Sequence, residues 1–410
     1  MSEPTQDRQT AVGVRAIPGS VWALGFVSMF MDISSEMIHS LLPIFLMSVL
    51  GAGATAVGIL EGVAETTVLV TKIFSGVLSD WLGKRKALAL VGYGIAALTK
   101  PLFPLAGSYS VVFAARLIDR VGKGVRDAPR DALIADLVPE QSRGASYGLR
   151  QSLDTLGAVG GPLAASFLML TSGGSFRFVF WAAVPPALVS LAILALFVRE
   201  PSTSLRSPVI VVRPDWLAFG GFPSTFWSVV TIGAILTLAR SSEAFLVLRA
   251  AGLGVQNAYV PLVMVVMNLI YAASAYPAGR LSDRIDRRLM LAVSAAVLVT
   301  ADVLLAAATG IVWLIGGIAL WGLSLGLSQG LLAALVASAA PAERRGTAFG
   351  LFNLVSGIAL FVSSTLAGEL WDRVGAPAAF YTSAGFAGLA LLGLLQQIQA
   401  RPVKSVPPAA

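Results

Sequence analysis

The stretch Gly76-Val-Leu-Ser-Asp80-Trp-Leu-Gly83-Lys84-Arg85 recurs in the second half of the chain as Gly279-Arg-Leu-Ser-Asp283-Arg-Ile-Asp286-Arg287-Arg288, 203 residues later. A second stretch, Pro139-Glu-Gln-Ser-Arg143-Gly144-Ala-Ser-Tyr-Gly148, recurs as Pro341-Ala-Glu-Arg-Arg345-Gly346-Thr-Ala-Phe-Gly350 at an offset of 202. Ser34-Ser35-Glu36 is matched more loosely by Ser241-Ser242-Glu243 at an offset of 207. Because three matches keep the same order at nearly one spacing, we predict that the chain is a duplicated unit.

The composition is that of a membrane protein. Of the 410 residues, 56% are hydrophobic and only 12% are charged, whereas soluble domains carry about 25% charged residues. A helix needs about 20 mostly apolar residues to cross the hydrocarbon core. The apolar stretches predict twelve spans: 20–48, 55–80, 86–106, 109–136, 145–170, 178–198, 222–248, 256–283, 288–308, 310–338, 344–370 and 377–398.

The charges are distributed as membrane topology requires. The chain carries 29 basic and 22 acidic residues, a net charge of +7. The linkers that follow spans 2, 4, 6, 8 and 10 hold Lys84, Arg85, Lys86, Arg143, Arg199, Arg206, Arg213, Arg284, Arg287, Arg288, Arg344 and Arg345. The positive-inside rule places these linkers and both termini in the cytoplasm, so the excess charge indicates topology and not nucleic-acid binding.

The linkers also divide the chain into regions. We predict a cytoplasmic tail at 1–19, a six-helix bundle at 20–198, a cytoplasmic linker rich in Pro and Ser at 199–221, a second bundle at 222–398 and a tail at 399–410. The first tail is polar and lacks a small-residue cleavage site, so we do not interpret it as a signal peptide. The chain contains no cysteine, which excludes disulfides and thiolate metal sites.

The repeated stretch resembles the motif between helices 2 and 3 of the major facilitator superfamily, roughly G-x-x-x-D-R-x-G-R-R/K. The stretch from Arg116 through Gly122, Gly124 and Pro129 resembles the helix 4 pattern of the same superfamily. The resemblance covers nearly the whole chain. It implies an all-α polytopic membrane protein with twelve transmembrane helices in two pseudo-symmetric six-helix bundles. It further implies a monomeric transporter of the bacterial-type inner membrane, working by alternating access without a cofactor.

The resemblance assigns the repeated motif to a gate. In the family, the motif carboxylate meets a helix N-terminus and arginines of the other half when the cytoplasmic side is closed, and the first glycine allows close helix approach. The gate residues would be Gly76, Asp80, Gly83, Lys84, Arg85, Gly279, Asp283, Arg287 and Arg288. Alternatively, the basic residues are only topology signals. Asp286 replaces the usual glycine, which predicts a different loop conformation in the second copy.

Helix 4 is unusually charged, with charges recurring at 116, 119/120, 123, 126/127 and 130/131. Charges inside a membrane cost several kcal/mol unless they face protein or water. We therefore predict ion pairs such as Asp119 with Lys123 and Asp127 with Arg130, which have helical spacing. The stretch is either a structural network or, around Arg116, Asp119 and Arg120, a site of proton or substrate chemistry.

Acids on other helices complete the candidate sites. Asp32, Glu36 and His39 share one face of helix 1. We predict that Asp32 and Glu36 couple protons, together with Arg116, Asp119 and Arg120, because an intramembrane acid is a functional candidate by default; permanent ion pairing is the alternative. Candidate substrate-binding residues are Glu61, Glu65, Arg150, Asp154, Glu243, Asn268, Gln329 and Asn353.

The function predicted is proton-coupled efflux of a small organic compound or metabolite. The alternative is export of a divalent metal ion, a metal chelate or an organic anion, with Asp32, Glu36 and His39 as metal ligands, although a lone histidine is more often structural. A non-transporting scaffold or sensor would need a soluble domain that the short tails do not hold. No nucleotide-binding or catalytic motif is present, so the chain is not predicted to be an enzyme.

Overall fold

The computed structural model describes residues 17–200, 221–282, 284–341 and 344–399, without the side chains of 140 and 141. The described chain forms helices joined by short turns. They are α1 (Gly19–His39), α2 (Leu42–Ser48), α3 (Ala54–Leu82), α4 (Arg85–Thr99), α5 (Leu102–Leu105), α6 (Tyr109–Leu137), α7 (Glu140–Thr171), α8 (Phe176–Ala182), α9 (Val184–Phe197), α10 (Ser224–Leu238), α11 (Ala244–Gly252), α12 (Leu262–Ser282), α13 (Arg287–Ala307), α14 (Ile311–Ala339), α15 (Arg345–Arg373) and α16 (Ala376–Gln399).

These helices coincide with the predicted spans. Within the described ranges, nine helical segments are long and apolar enough to cross a membrane. Two further helices, α3 and α6, are 29 residues long each but carry several charges, and the α10–α11 unit is interrupted at 239–243. The predicted all-α membrane-spanning fold is confirmed. The predicted domain boundaries stay predictions, since most of both tails and of the 199–221 linker lies outside the described residues.

The two copies of the repeated motif end differently. Gly83 follows α3 with φ 63°, the left-handed conformation that glycine adopts readily at a helix C-terminus. Asp286 has φ −56° and caps α13, its side chain accepting a 2.7 Å hydrogen bond from the Arg288 backbone N–H. The prediction of a different loop conformation in the second copy is confirmed. A carboxylate cap has replaced the glycine turn.

The hydrophobic cores distinguish the two ends of the molecule. We call the end that carries Lys84, Arg85 and Arg288 the basic end and the opposite one the far end. At the far end, one continuous buried cluster contains residues of both halves, including Phe45 and Phe245. Toward the basic end, the buried clusters each contain residues of one half only. The halves therefore share a core at the far end alone.

Direct contacts between the halves follow the same asymmetry. Along α3 and α15, the Thr66 hydroxyl donates to the Gly357 carbonyl at 2.8 Å. Along α7 and α12, the Ser166 hydroxyl donates to the Ala258 carbonyl at 2.5 Å. Nearer the basic end, Trp81 of α3 is 72% exposed. The structure is thus closed at the far end and parted toward the basic end.

Candidate functional site

Glycines bring the charged helices of the first half together. A Cβ on Gly122 would lie 2.8 Å from the Gly92 carbonyl oxygen of α4, and a Cβ on Gly124 would lie 2.6 Å from the Thr71 Cβ of α3. Neither position has room for a side chain, so the backbone of α6 lies in close contact with α4 and α3. The close approach occurs at two glycines of the helix 4 pattern. It aligns the charges of α6 with those of α1, α3 and α4.

Glu61 lies at the centre of this charged region. Its Oε2 accepts a 2.9 Å hydrogen bond from Arg116 Nη2 and lies 3.4 Å from His39 Nε2. The other ring nitrogen of His39, Nδ1, lies 3.4 Å from Glu36 Oε2. Glu61 and Arg116 are each 1% exposed. In this conformation Glu61, a predicted substrate ligand, is sealed inside a salt-bridge chain and does not face the space between the halves.

The predicted metal-binding face does not assemble. His39 contacts Glu36 and Glu61 through opposite ring nitrogens, so the two carboxylates cannot converge with one imidazole nitrogen on a single ion. Asp32 turns toward Arg126, with Oδ1 3.9 Å from Nη2. Across the described ranges, no group of three His, Asp or Glu side chains could hold a metal ion.

Asp119 has a partner that the sequence did not reveal. Its Oδ1 lies 2.8 Å from Nζ of Lys100, which also donates to the Ser35 hydroxyl at 3.0 Å. The predicted pairing of Asp119 with Lys123 is wrong, because the cation from α4 takes that place. Lys100 was not among the predicted site residues. Its position inside a predicted span indicates a buried partner, because an unpaired charge in the membrane is costly.

The part of α6 nearer the basic end forms a ladder of ion pairs. Arg130 lies 3.8 Å from Asp127, which confirms that predicted pair, and 3.1 Å from Asp131. On α7, Arg150 lies 2.9 Å from Asp154 and 3.6 Å from Asp131. Arg150 and Asp154, predicted to bind substrate, are therefore placed as partners of one another and of the α6 ladder.

Four charged residues face each other between the halves. Glu65 lies 3.4 Å from Arg120 at its inner side and is about one-third exposed. Glu243 lies in the interruption between α10 and α11 and interacts electrostatically with four charged residues of the other half, namely His39, Glu36, Glu65 and Lys123. Among the described residues, no ion pair or side-chain hydrogen bond joins Glu243 to a partner. We call Glu36, Glu65, Lys123 and Glu243 the interface cluster.

The second half contributes fewer charges. The amide of Asn268 donates to the Ala158 carbonyl of the first half at 3.2 Å, so this residue joins the halves. Gln329 accepts a 2.9 Å hydrogen bond from the Tyr271 hydroxyl, and Asn353 is half-buried on α15. The structure brings Gln329 together with Tyr271 but not with Asn268, which lies at the helix contact itself.

A buried polar site inside the second half was also missed. Arg240 Nη2 donates to the hydroxyls of Ser324 at 3.0 Å and Ser328 at 2.6 Å. Asp302, left unassigned from the sequence, is 1% exposed and interacts electrostatically with this guanidinium. Arg240 lies in the break after α10, Asp302 on α13 and the two serines on α14. No local spacing in the sequence could have connected them.

The repeated motif ties together the first half in this conformation. Asp80 lies 3.3 Å from Arg85, whose Nη1 lies 2.6 Å from Asp136 of α6. The Arg85 backbone N–H donates to Glu200 at 2.7 Å. A Cβ on Gly76 would meet only Ala128, at an ordinary 3.7 Å.

The remaining gate residues that the structure describes lie at or near helix ends. A Cβ on Gly279 would meet nothing within 4 Å. Arg287 and Arg288 begin α13, and Lys84 precedes α4. Asp283 lies outside the described residues. The gate role of the motif stays a prediction for the conformation in which the basic end is closed.

Comparison with known proteins agrees with this architecture. The sequence description of the Major Facilitator Superfamily matches residues 24–248 and 217–409. An uncharacterized MFS-type transporter of Methanocaldococcus jannaschii is 31% identical over 365 residues, which are 87% of this chain and 89% of that protein. The quinolone resistance protein NorA of Staphylococcus aureus is 23% identical over 218 residues, 53% of this chain and 54% of that protein.

Solved structures share the fold. A bacterial homolog of the human lysosomal transporter Spinster, in an inward-facing and unoccupied conformation, superposes with a TM-score of 0.69 at 16% sequence identity. The match covers 94% of this chain and 98% of that one. The chain is therefore a membrane transporter and not an enzyme, and it belongs to the major facilitator superfamily.

Proposed function

We propose that this transporter exports a small organic compound in exchange for protons, by rocking its two halves about a site between them. The basic end would face the cytoplasm, as the positive-inside rule requires, with both termini on that side of a bacterial-type inner membrane. The conformation with a parted basic end would then be the one that receives substrate. A monomer suffices for this cycle, because both halves belong to one chain.

The interface cluster is the observation that carries the proposal. Glu243 from the second half interacts electrostatically with Glu36 and Glu65 from the first, and also with His39 and Lys123. Carboxylates brought together away from water repel one another, and a shared proton relieves that repulsion. When the halves rock apart on the other side, the carboxylates separate and the proton can leave. Proton movement is thereby tied to the conformational cycle.

The remaining predicted proton-coupling residues divide by their contacts. Among the described residues, the ion-pair partner of Asp32 is Arg126 at 3.9 Å, and we place Asp32 beside Glu36 among the groups that exchange protons. Arg116 and Asp119 lie in short, buried pairs, and we propose that they hold the helices in place. Arg120 contacts Glu65 and so tunes the charge of the interface cluster.

The charge of the interface cluster favours one substrate class. Glu36 is paired with His39 and Glu65 with Arg120, so Glu243 is the carboxylate of the cluster that lacks an ion-pair partner among the described residues. We propose that it meets a cationic group of an organic substrate. NorA, a quinolone resistance protein, is consistent with efflux of a drug-like compound. Tyr271, Gln329 and Asn353 would contribute polar and aromatic contacts from the second half. The metal alternative finds no converging ligand set within the part of the chain that the structure describes.

Flux measurements in proteoliposomes test the proposal. A pH gradient is imposed across the vesicles, and uptake of lipophilic cations, organic anions and divalent metals is compared. We expect gradient-driven flux of cations in the wild type. In Glu243→Gln that flux should be lost while exchange of labelled for unlabelled substrate continues, because a neutral amide can still bind but cannot shuttle a proton.

A matched control comes from Glu369→Gln, which changes an acid at the far end and away from the interface cluster. This variant should transport as the wild type does. Absence of gradient-dependent flux across the whole panel would refute proton coupling. Gradient-driven flux of divalent metals alone would instead support the metal alternative.

A further inference from the structure

A carboxylate of the second half caps a helix of the first half at the far end. Asp372, in the last turn of α15, accepts hydrogen bonds from the backbone N–H groups of Ala54 at 2.9 Å and Thr55 at 2.8 Å. The Thr55 hydroxyl donates to the same carboxylate at 2.7 Å. Three hydrogen bonds from one side chain thus join α15 to the first turn of α3.

The sequence of α3 makes this cap necessary. The first N–H groups of a helix lack partners within it and carry partial positive charge, so a side chain or an anion usually satisfies them. At the N-cap position α3 has Gly53, which has no side chain to do so. A Cβ there would lie 2.7 Å from Asp372 Oδ2. Because it has no side chain, Gly53 leaves the first backbone N–H groups of α3 without a local acceptor. It also leaves the space that the Asp372 carboxylate occupies.

The register of the two helices predicts an equivalent contact at the basic end. Both α3 and α15 are 29 residues long and they run antiparallel. Thr66 pairs with Gly357, and a Cβ on Gly350 would meet Ile73. Carried forward in the same register, Asp80 arrives beside the first turn of α15. That helix also starts without a side-chain cap.

We propose that Asp372 is the far-end gate residue, whose cap on α3 holds that end closed and breaks when the contact that the family assigns to Asp80 forms at the basic end. In the present conformation the first cap is made, while Asp80 is exposed and, among the described residues, forms an ion pair with Arg85 of its own half. The two caps are at opposite ends of one helix pair, so rocking that forms one breaks the other. The inference rests on the alternating access proposed above, but not on its substrate or coupling ion.

Spin-label distances measure this equilibrium directly. The chain has no cysteine, so introduced cysteines are its sole labelling sites. One pair, Val49 and Val374, reports on the far end, and a second pair, Leu82 and Leu281, reports on the basic end; all four residues are exposed. The measurements need neither substrate nor a pH gradient, so failure of proton coupling would leave them interpretable.

The expected result is a shift toward opening at the far end. Asp372→Ala should raise the population with a long Val49–Val374 distance about fivefold, the effect of losing one helix cap. The Leu82–Leu281 distance should shorten in the same population. Asp372→Asn retains an acceptor for the helix N–H groups and should fall between Asp372→Ala and the wild type. Asp80→Ala should shift the equilibrium in the opposite direction.

Glu369→Ala is the matched control. Glu369 lies one turn before Asp372 on α15 and pairs with Arg373 of the same helix. Among the described residues, its contact with α3 is a 3.3 Å hydrogen bond from the Thr55 hydroxyl. Glu369→Ala should leave both distance distributions unchanged. Size-exclusion profiles of every variant establish that it is folded before distances are compared. Unchanged distances in Asp372→Ala, or equal shifts in Asp372→Ala and Glu369→Ala, would overturn the proposal.

Discussion

Replacing Lys100 with methionine should destabilise the first half strongly, through the carboxylate that it leaves behind. Lys100 and Asp119 lie 2.8 Å apart, and their side chains are 2% and 4% exposed. Removing one partner of a buried ion pair costs about 3–5 kcal/mol, because the other charge remains away from water. Arg120, whose Nε lies 3.9 Å from Asp119, offsets part of this loss. We therefore expect about 3 kcal/mol, the low end of that range.

The double variant Lys100→Met/Asp119→Leu distinguishes an ion pair from simple packing. It removes both charges and keeps apolar side chains of similar size, so it should recover most of the stability lost in Lys100→Met. The assay is unfolding in mixed detergent micelles, followed by tryptophan fluorescence. A double variant that is as unstable as Lys100→Met would refute the reasoning. Proton-coupled flux in the stable double variant would additionally support a structural role for Asp119.

Three further outcomes are expected. A Cβ on Gly62 would lie 2.9 Å from the Phe361 Cα. Gly62→Ala should therefore push the two halves apart at the far end and lower the transport rate. Normal transport rates with normal spin-label distances would contradict this contact. Arg249 donates hydrogen bonds to three carbonyls at the end of α13, at 2.8 to 3.1 Å. Arg249→Ala should lower the free energy of unfolding by about 1–3 kcal/mol, and Arg249→Lys should recover part of that loss. An unchanged unfolding curve for Arg249→Ala would contradict a stabilising role of these hydrogen bonds. Arg85→Ala leaves Asp136 without its 2.6 Å partner and should raise protease cleavage near the basic end, which an unchanged digestion pattern would exclude.

The fold was readable from the sequence because both of its signals are local or repeated. Apolar length gives most of the spans in the described chain, and the duplicated motif gives the two halves. Gly122 and Gly124 allow close helix packing. Asp286, in place of the usual glycine, predicted a different turn in the second copy of the motif. These features depend on a few neighbouring residues, so no knowledge of distant contacts was needed.

The site was less predictable because its partners come from distant parts of the chain. The local spacing of Asp119 and Lys123 suggested a pair, but Lys100 on another helix fills the position at 2.8 Å. His39 shares a face with Asp32, yet its rotamer directs it to Glu36 and Glu61. Helical spacing tells which residues share a face, whereas the rotation of that face toward a neighbour is set by packing.

The single core shared at the far end has a thermodynamic consequence for the idle protein. Opening that end requires hydration of apolar side chains such as Phe45 and Phe245, whereas at the other end the buried clusters of the described residues each belong to one half. Without substrate, the protein should therefore mainly populate the conformation with an open basic end, in which substrate binds from that side. Heat-capacity changes that accompany the conformational switch would reveal this bias, since wetting of apolar surface raises the heat capacity.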